Sequence, residues 1–157
     1  MTTDDIPNRK GAPSFIHALN PLMGRLLRIG APMGPNVLLT VRGRTSGQPR
    51  SFPVAILETN GLRYVFCPFG DVNWVRNLRA NGDATPTIKS RTEAVTAVEL
   101  TPEQGAEVMK SAFAPFLASR ISRFFFRRFY DLNPKSTPAE YLAMARTHPG
   151  FELRPAS

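Results

Sequence analysis

The chain has few of the residues that build metal centres and disulfides. It contains one cysteine, Cys67, and two histidines, His17 and His148, in 157 residues. One cysteine cannot form an intrachain disulfide, which fits a reducing compartment. Cys67 lies in an apolar run, so we expect a small core residue rather than a nucleophile. With two histidines, it gives no metal-ligand spacing, and the sequence predicts no metal site.

Long apolar runs are also missing. No uninterrupted apolar stretch approaches the roughly 18 residues of a spanning helix. The N-terminus carries Asp4 and Asp5 and lacks the basic head and apolar run of a signal peptide. We therefore predict a cytoplasmic protein, with membrane association left open. The prolines are scattered, so no low-complexity linker is expected. We divide the chain into an N-terminal tail with an amphipathic helix, residues 1–35, and one domain, residues 36–157.

Acidic residues are absent from a long stretch, since none occurs between Asp5 and Glu58. The formal net charge is +8. Such a basic chain can bind nucleic acid, an anionic membrane or an anionic cofactor. There is no zinc-finger spacing and no aromatic signature of RNA binding. We therefore predict no nucleic-acid partner.

The turn Gly43–Arg50 concentrates groups that bind anions. It lies between two runs of β-forming residues, and its glycines permit a positive φ or a close approach to a ligand. Arg44 and Arg50, with Arg42 just before, offer forked donors beside the hydroxyls of Thr45 and Ser46. These groups suit a phosphate or a carboxylate. A solvated basic hairpin turn fits the composition equally well.

Local patterns predict the order of helices and strands. Apolar, β-branched runs predict strands over residues 36–42, 51–57, 62–67, 84–88, 94–100 and 151–153. Pro53 indicates an edge or a bulge, and Asn60-Gly61 indicates a tight hairpin.

The helix signals are equally local. Asp71 is the expected N-cap of a helix over residues 72–80. Capping boxes that begin at Thr101 and Thr137 predict two further helices, and Pro115 should interrupt the first of these. His148 is expected to end the last helix.

Two basic segments have the character of amphipathic helices. Pro13–Ile29 has helical apolar spacing and would form either a docked helix or one that lies on a membrane. Phe116–Tyr130 interleaves aromatic residues with arginines and contains no acid. It could be a core helix with arginines that reach outward, a wall or lid over an apolar substrate, or a face that touches a membrane.

Two stretches carry a family resemblance. These are Gly43–Arg50 with the following Pro53, and Gly70–Ala80, which reads GDVNWVRNLRA. With them, residues 36–153 resemble the deazaflavin (coenzyme F420)-dependent nitroreductases, also called F420-dependent quinone reductases, of the split β-barrel superfamily. The resemblance implies an α+β, mainly β fold. This is a small antiparallel split β-barrel of Greek-key, FMN-binding split-barrel type, flanked by helices.

The resemblance also implies a cofactor site. The phosphate and glutamate tail of coenzyme F420 would lie on Arg44, Thr45, Ser46 and Arg50, and the deazaflavin ring on residues 66–74. Family members often carry lysine where Thr45 stands. The full set of predicted cofactor-binding residues is Arg42, Arg44, Thr45, Ser46, Gln48, Arg50, Pro53, Phe66, Pro68, Phe69, Gly70, Asn73, Trp74, Arg76 and Asn77.

The implied reaction is hydride transfer from reduced F420 to an apolar, electron-poor acceptor such as a quinone, an activated alkene or a nitro compound. Phe125, Phe129 and Tyr130 are the predicted substrate-binding residues, and Tyr130 is the candidate proton donor. Two alternatives remain at this point. One is an FMN-dependent enzyme of the same barrel, and the other is a non-catalytic lipid or fatty-acid carrier. The oligomeric state is left open.

Overall fold

The computed structural model describes residues 36–127 and 129–156 of the chain. The predicted unit over residues 1–35 lies outside the described residues. The strands are β1 (Asn36–Arg42), β2 (Pro49–Thr59), β3 (Leu62–Phe66), β4 (Asp83–Ile88), β5 (Arg91–Thr92), β6 (Val95–Glu99) and β7 (Gly150–Pro155). The helices are α1 (Asn73–Asn81), α2 (Pro102–Ala112), α3 (Ala114–Ala118), α4 (Arg120–Phe126) and α5 (Pro138–Thr147).

Six of these strands form a closed antiparallel barrel. Their order is β1-β2-β3-β7-β6-β4, and a direct pairing of β1 with β4 closes the ring. The short β5 pairs with β4 and extends the sheet. Because β7 enters between β3 and β6, the last strand of the chain completes the barrel. The predicted α+β split barrel with flanking helices is confirmed.

Strand β2 pairs with two different strands along its length. Its residues 49–55 pair with β1, and its residues 56–59 pair with β3. Pro53 stands opposite Leu38 in the first half. Among the described strands, that half pairs with β1 alone, which is the setting in which a strand tolerates proline. The edge position expected for Pro53 is therefore observed.

The apolar residues form two cores on either side of β3. Val65 and Cys67 belong to the core inside the barrel, which also takes Val75 and Leu78 of α1. The intervening Tyr64 and Phe66 belong to a second core beneath the helices. This alternation follows from the two-residue period of a strand. Strand β3 is thus buried on both faces.

The local turn and capping signals gave the expected structures. Asn60 and Gly61 have φ of 54° and 75°, the left-handed pair of a type I′ hairpin turn. Thr101 with Gln104, and Thr137 with Glu140, form complete capping boxes at the starts of α2 and α5. Each of these signals is confined to four or five residues, which is why the sequence alone carries it.

The predicted N-cap at Asp71 is wrong. The N-cap residue of α1 is Val72, which is extended and makes no side-chain capping bond. The Asp71 carboxylate instead accepts hydrogen bonds from Arg76 Nε at 3.2 Å and Arg79 Nη1 at 2.8 Å. Two guanidinium partners from the helix satisfy this carboxylate better than one backbone N–H would.

The aromatic stretch predicted as one helix-like segment over residues 116–130 is divided. Helix α3 ends before Ser119, whose ψ of 130° is extended, and α4 begins directly after it. Arg123 of α4 donates from Nε to the Leu117 carbonyl at 2.8 Å and from Nη2 to the Ala118 carbonyl at 3.5 Å. These bonds satisfy carbonyl groups that a helix end leaves without partners. The break therefore depends on a side chain from the next helix.

Within residues 36–127 and 129–156, no helix is both long and apolar enough to cross a membrane.

Candidate cofactor site

The turn Gly43–Arg50 holds its own shape. Gly43 N donates to the Gln48 carbonyl at 2.8 Å, and Gly47 N donates to the Gly43 carbonyl at 2.9 Å. Gln48 N donates to Ser46 Oγ at 3.2 Å. Gly47 has a φ of +70°, and a Cβ on Gly43 would lie 2.8 Å from Ser46 Oγ. The positive φ therefore favours glycine at residue 47, and a side chain at residue 43 would displace the Ser46 hydroxyl.

Arg44 connects the turn to helix α1. Its Nη1 donates to Asn77 Oδ1 at 2.7 Å, and its backbone N donates to the same oxygen at 3.2 Å. Its Nη2 donates to Asn73 Oδ1 at 3.5 Å. Asn77 is 6% exposed, so its side-chain oxygen is a buried acceptor that holds the turn to the helix. The two stretches that are far apart in sequence meet here.

Asn81 was missed by the sequence analysis. Its Nδ2 donates to the Arg42 carbonyl at 2.9 Å and to the Asn77 carbonyl at 3.1 Å. Asn73, Asn77 and Asn81 recur every four residues, which places them on one face of a helix. That asparagine stripe was the available signal for a helix face that holds a loop.

The arginines of this region differ in their partners. Arg42, Arg44 and Arg50 are exposed, and among the described residues none of them has a salt bridge to a carboxylate. Arg76 and Arg79 instead pair with Asp71, and Arg79 pairs again with Glu99 at 2.7 Å. The pKa of Arg79 is raised above its ordinary value, chiefly by its hydrogen bond to Glu99. The predicted site residue Arg76 is therefore already engaged by an acid.

The strand register separates two of the turn arginines. Arg50 pairs with Val41, and Arg42 pairs with Pro49. Val41 is buried in the barrel core. Side chains alternate between the faces of a strand, and paired residues share a face. Arg50 therefore lies on the face that continues into the barrel, and Arg42 lies on the outer face.

The predicted ring-binding segment is lined by aromatic side chains. The Trp74 ring is half-buried and stacks on Phe52, with centroids 5.6 Å apart, and lies 6.3 Å from the Phe151 ring. Pro68 and Phe69 are half-buried, and Gly70 has a φ of +80°. Trp74 is thus fixed against the barrel as a flat apolar wall.

Phe66 has a structural position. Its side chain is 5% exposed and makes an edge contact with Phe113 at 5.5 Å. A Cβ built on Gly150 would overlap the Phe66 ring, so the ring occupies the space above that glycine. The Phe66 side chain belongs to the core beneath the helices.

The three predicted substrate-binding residues are placed differently. Phe129 is half-buried, and its ring meets Phe69 edge-on at 5.6 Å. This contact brings the predicted substrate segment against the predicted ring-binding segment. The side chain of Phe125 lies outside the described part of the structure.

Tyr130 is enclosed by other rings. It is 7% exposed and packs on Phe113, Phe126 and His148 at centroid distances of 4.8, 4.8 and 4.9 Å. Burial raises the pKa of its hydroxyl, which makes it a weaker acid than an exposed phenol. The role of Tyr130 as proton donor stays a prediction.

Cys67 and His148 have the structural positions expected of them. Cys67 is fully buried in the barrel core, and burial raises the pKa of its thiol to about 11. His148 is the C-cap of α5. Its Nδ1 lies 2.9 Å from the Met144 carbonyl, and its Nε2 lies 3.0 Å from the Phe129 carbonyl. Among the described residues, no group of three or more metal-ligating side chains is found.

The fold defines a class of protein, the split β-barrels. Two solved structures share the architecture. One is a candidate 5-nitroimidazole antibiotic resistance protein from Bacteroides thetaiotaomicron, with a TM-score of 0.53 and 8% identity over 85% of this chain and 80% of that one. The other is a protein of unknown function from Agrobacterium tumefaciens, with a TM-score of 0.54 and 17% identity over 99% of this chain and 60% of that one.

The family follows from a sequence match. The chain belongs to the F420H(2)-dependent quinone reductase family, whose profile matches residues 16–118. A solved F420-H2 dependent reductase is 24% identical over 76% of this chain and 94% of that chain, with a TM-score of 0.46. Membership of the family that matches residues 16–118 makes the protein an F420-dependent oxidoreductase. This family supports F420 rather than FMN as the cofactor, and an enzyme rather than a lipid carrier.

Proposed function

We propose that this enzyme binds the anionic tail of F420 on the turn Gly43–Arg50 and the deazaflavin ring beside Phe69 and Trp74. It then reduces an apolar quinone. The observation that carries the proposal is the pair of bonds from Arg44 to Asn77 and Asn73. They hold the turn against α1, the helix that also carries Trp74, which is proposed to contact the ring.

The donor set fits the cofactor's tail. A phosphate and carboxylates need cationic and hydroxyl donors that are not already neutralised. Arg44 and Arg50 are exposed, have no carboxylate partner among the described residues, and stand beside the exposed hydroxyls of Thr45 and Ser46. Arg44 is also pre-oriented by neutral amide oxygens, which direct the guanidinium without cancelling its charge. Such preorganisation lowers the entropy lost on binding.

The other end of the site fits an apolar ring system. The half-buried rings of Phe52 and Trp74 stack with centroids 5.6 Å apart, and the half-buried Phe69 meets Phe129 edge-on at 5.6 Å. When bound, reduced F420 supplies a hydride, so that a quinone that also takes up one proton becomes a quinol. The residues of this chain bind and orient the two partners and exclude water. Phe129 would contact the acceptor, because it is half-buried against Phe69.

The test is a fluorescence titration of the purified protein with oxidised F420 and, separately, with FMN. It is repeated on Arg44→Ala and Arg50→Ala, with Arg146→Ala as the matched control, since Arg146 is an exposed arginine on α5. We expect saturable F420 binding that both turn variants weaken and the control leaves unchanged. Equal binding by all variants would contradict the tail assignment, and preferential FMN binding would contradict the cofactor.

The acceptor is tested separately with a short-chain and a long-chain quinone. We expect Phe129→Ala to raise the KM for the quinone and to leave F420 affinity unchanged, because Phe129 is assigned to the acceptor alone. An unchanged KM for both quinones would remove Phe129 from the acceptor site. The conservative change Phe129→Leu keeps apolar volume and should recover part of the loss.

A further inference from the structure

Helix α4 presents an unusual combination of exposed side chains. Ile121 is 74% exposed and Phe124 is 70% exposed. They are three residues apart on one helix, and so lie on the same face. The opposite side of α4 is anchored, because Phe126 packs on Phe113 at 4.7 Å and on Tyr130 at 4.8 Å. The helix is therefore held to the core while two large apolar side chains point outward.

The charges around this face have one sign. Arg120 and Arg127 flank Ile121 and Phe124 and are exposed. No aspartate or glutamate occurs between Glu107 and Asp131. Elsewhere, Arg63, Arg79 and Arg154 have carboxylate partners, so the absence of acids here is local. The segment also begins beyond residue 118, where the family match ends.

We propose that the α4 face, formed by Arg120, Ile121, Phe124 and Arg127, docks on an anionic lipid surface. The two apolar side chains would enter the interface between headgroups and acyl chains, and the arginines would lie among anionic headgroups. A second copy of the chain is a poorer occupant, because a symmetric contact would place arginines against arginines. The inference does not depend on the cofactor or the acceptor.

The experiment is vesicle co-sedimentation of the full chain at low and high salt. Vesicles of phosphatidylcholine alone are compared with vesicles that contain phosphatidylglycerol. We expect binding to the anionic vesicles that falls at high salt, since exposed charges are screened. The double variant Ile121→Glu with Phe124→Glu should reduce binding at least tenfold. Leu62→Glu is the matched control, because Leu62 is an apolar residue, 45% exposed, on a different element, at the start of β3.

A second readout detects insertion itself. Ile121→Cys labelled with an environment-sensitive dye should shift to the blue on anionic vesicles, and Leu62→Cys should not. Cys67 does not interfere, because it is fully buried. Unchanged F420 affinity and circular dichroism in the double variant establish that it folds.

Three results would overturn the proposal. The first is no vesicle binding by the wild type. The second is binding that the double variant retains, which would place the contact elsewhere in the chain. The third is a wild-type dimer that the double variant converts to a monomer without loss of lipid binding, which would make a second copy the occupant.

Discussion

Two arginines that contact or belong to α1 show opposite uses of the same side chain. Arg79 is surrounded by acids, with Asp71 at 2.8 Å and Glu99 at 2.7 Å. Arg44 is held by the amide oxygens of Asn77 and Asn73. Both are oriented by two partners, but only the first has its charge balanced by them. The comparison separates an arginine that stabilises the protein from one that is prepared for an anion.

The largest effect is expected from Arg44→Ala. Loss of a charge-assisted hydrogen bond to the cofactor should cost about 1.5–3 kcal/mol, or roughly a 10- to 150-fold increase in Kd. Stability should change little, because the backbone N–H of residue 44 still donates to Asn77 Oδ1. Fluorescence titration with F420 and urea unfolding check the two parts. A large loss of stability with unchanged F420 affinity would show that Arg44 stabilises the fold and does not bind the cofactor.

Asn77→Asp would give Arg44 a carboxylate partner, as Arg79 has. The new carboxylate would keep the geometry of the bond at 2.7 Å but would neutralise the guanidinium. We expect about a tenfold loss of F420 affinity, on the order of 1.4 kcal/mol. Ala80→Asp, at an exposed position of the same helix, adds the same charge without touching Arg44. If both variants bind F420 equally well, the charge of Arg44 does not contribute to cofactor binding.

Arg79→Ala tests the arginine whose charge is balanced by acids. The substitution leaves Asp71 with Arg76 and leaves Glu99 without its bond to Arg79. For a partly exposed network, the loss of unfolding free energy should be about 1 kcal/mol. F420 affinity should stay within about twofold of the wild type, a change below roughly 0.5 kcal/mol. Urea unfolding and the same titration measure both. A tenfold loss of affinity would assign Arg79 to the cofactor site.

Thr45→Lys should strengthen the anion-binding turn. An added ammonium group near the cofactor's tail is expected to tighten binding a few-fold at low salt, since exposed charge pairs contribute less than about 1 kcal/mol. The gain should vanish at high salt because the charges are screened. Thr45→Gln, which adds length without charge, is the control. Tighter binding by the glutamine variant would point to contacts other than charge.

The smallest effect concerns another balanced pair, Arg63 and Glu93. The hydrogen bond from Arg63 holds the pKa of Glu93 below its usual value. This pair therefore stabilises the protein above the usual pKa of a glutamate, and that contribution is lost as pH falls through the lowered pKa. Urea unfolding between pH 7 and pH 3 should show a slightly smaller pH dependence for Glu93→Gln. F420 affinity at pH 7 should not change, because this pair lies outside the turn.

The accuracy of the sequence analysis depended on how local each signal was. The Asn60-Gly61 hairpin and the two capping boxes depend on a few adjacent residues, and they were predicted correctly. The N-cap predicted at Asp71 was wrong because Arg76 and Arg79, which lie further along the helix, bind the carboxylate. The break at Ser119 was missed because it depends on Arg123, which satisfies the carbonyls that precede it.

The candidate site shows the same limit. The turn residues were identified by composition, by the missing acids and by the family resemblance. Their organisation by Asn73, Asn77 and Asn81 was not, because the spacing of the asparagines marks a helix face but does not identify the loop, more than 28 residues away, that this face holds. The positions of Phe66 and Tyr130 in the second core also required the fold, since an aromatic side chain suits a pocket wall and a core equally well.

The burial of β3 on both faces ties the two halves of the protein into one cooperative unit. Val65 and Cys67 face the barrel, while Tyr64 and Phe66 face the helices. A fluctuation that loosens the helical layer must therefore disturb a strand that the barrel cannot release without opening. The cofactor turn is attached to this unit through the bond from Arg44 to Asn77, and α4 is attached to it through Phe126 on Phe113. Both surfaces that are proposed to bind a ligand are therefore carried by a scaffold that opens only as a whole.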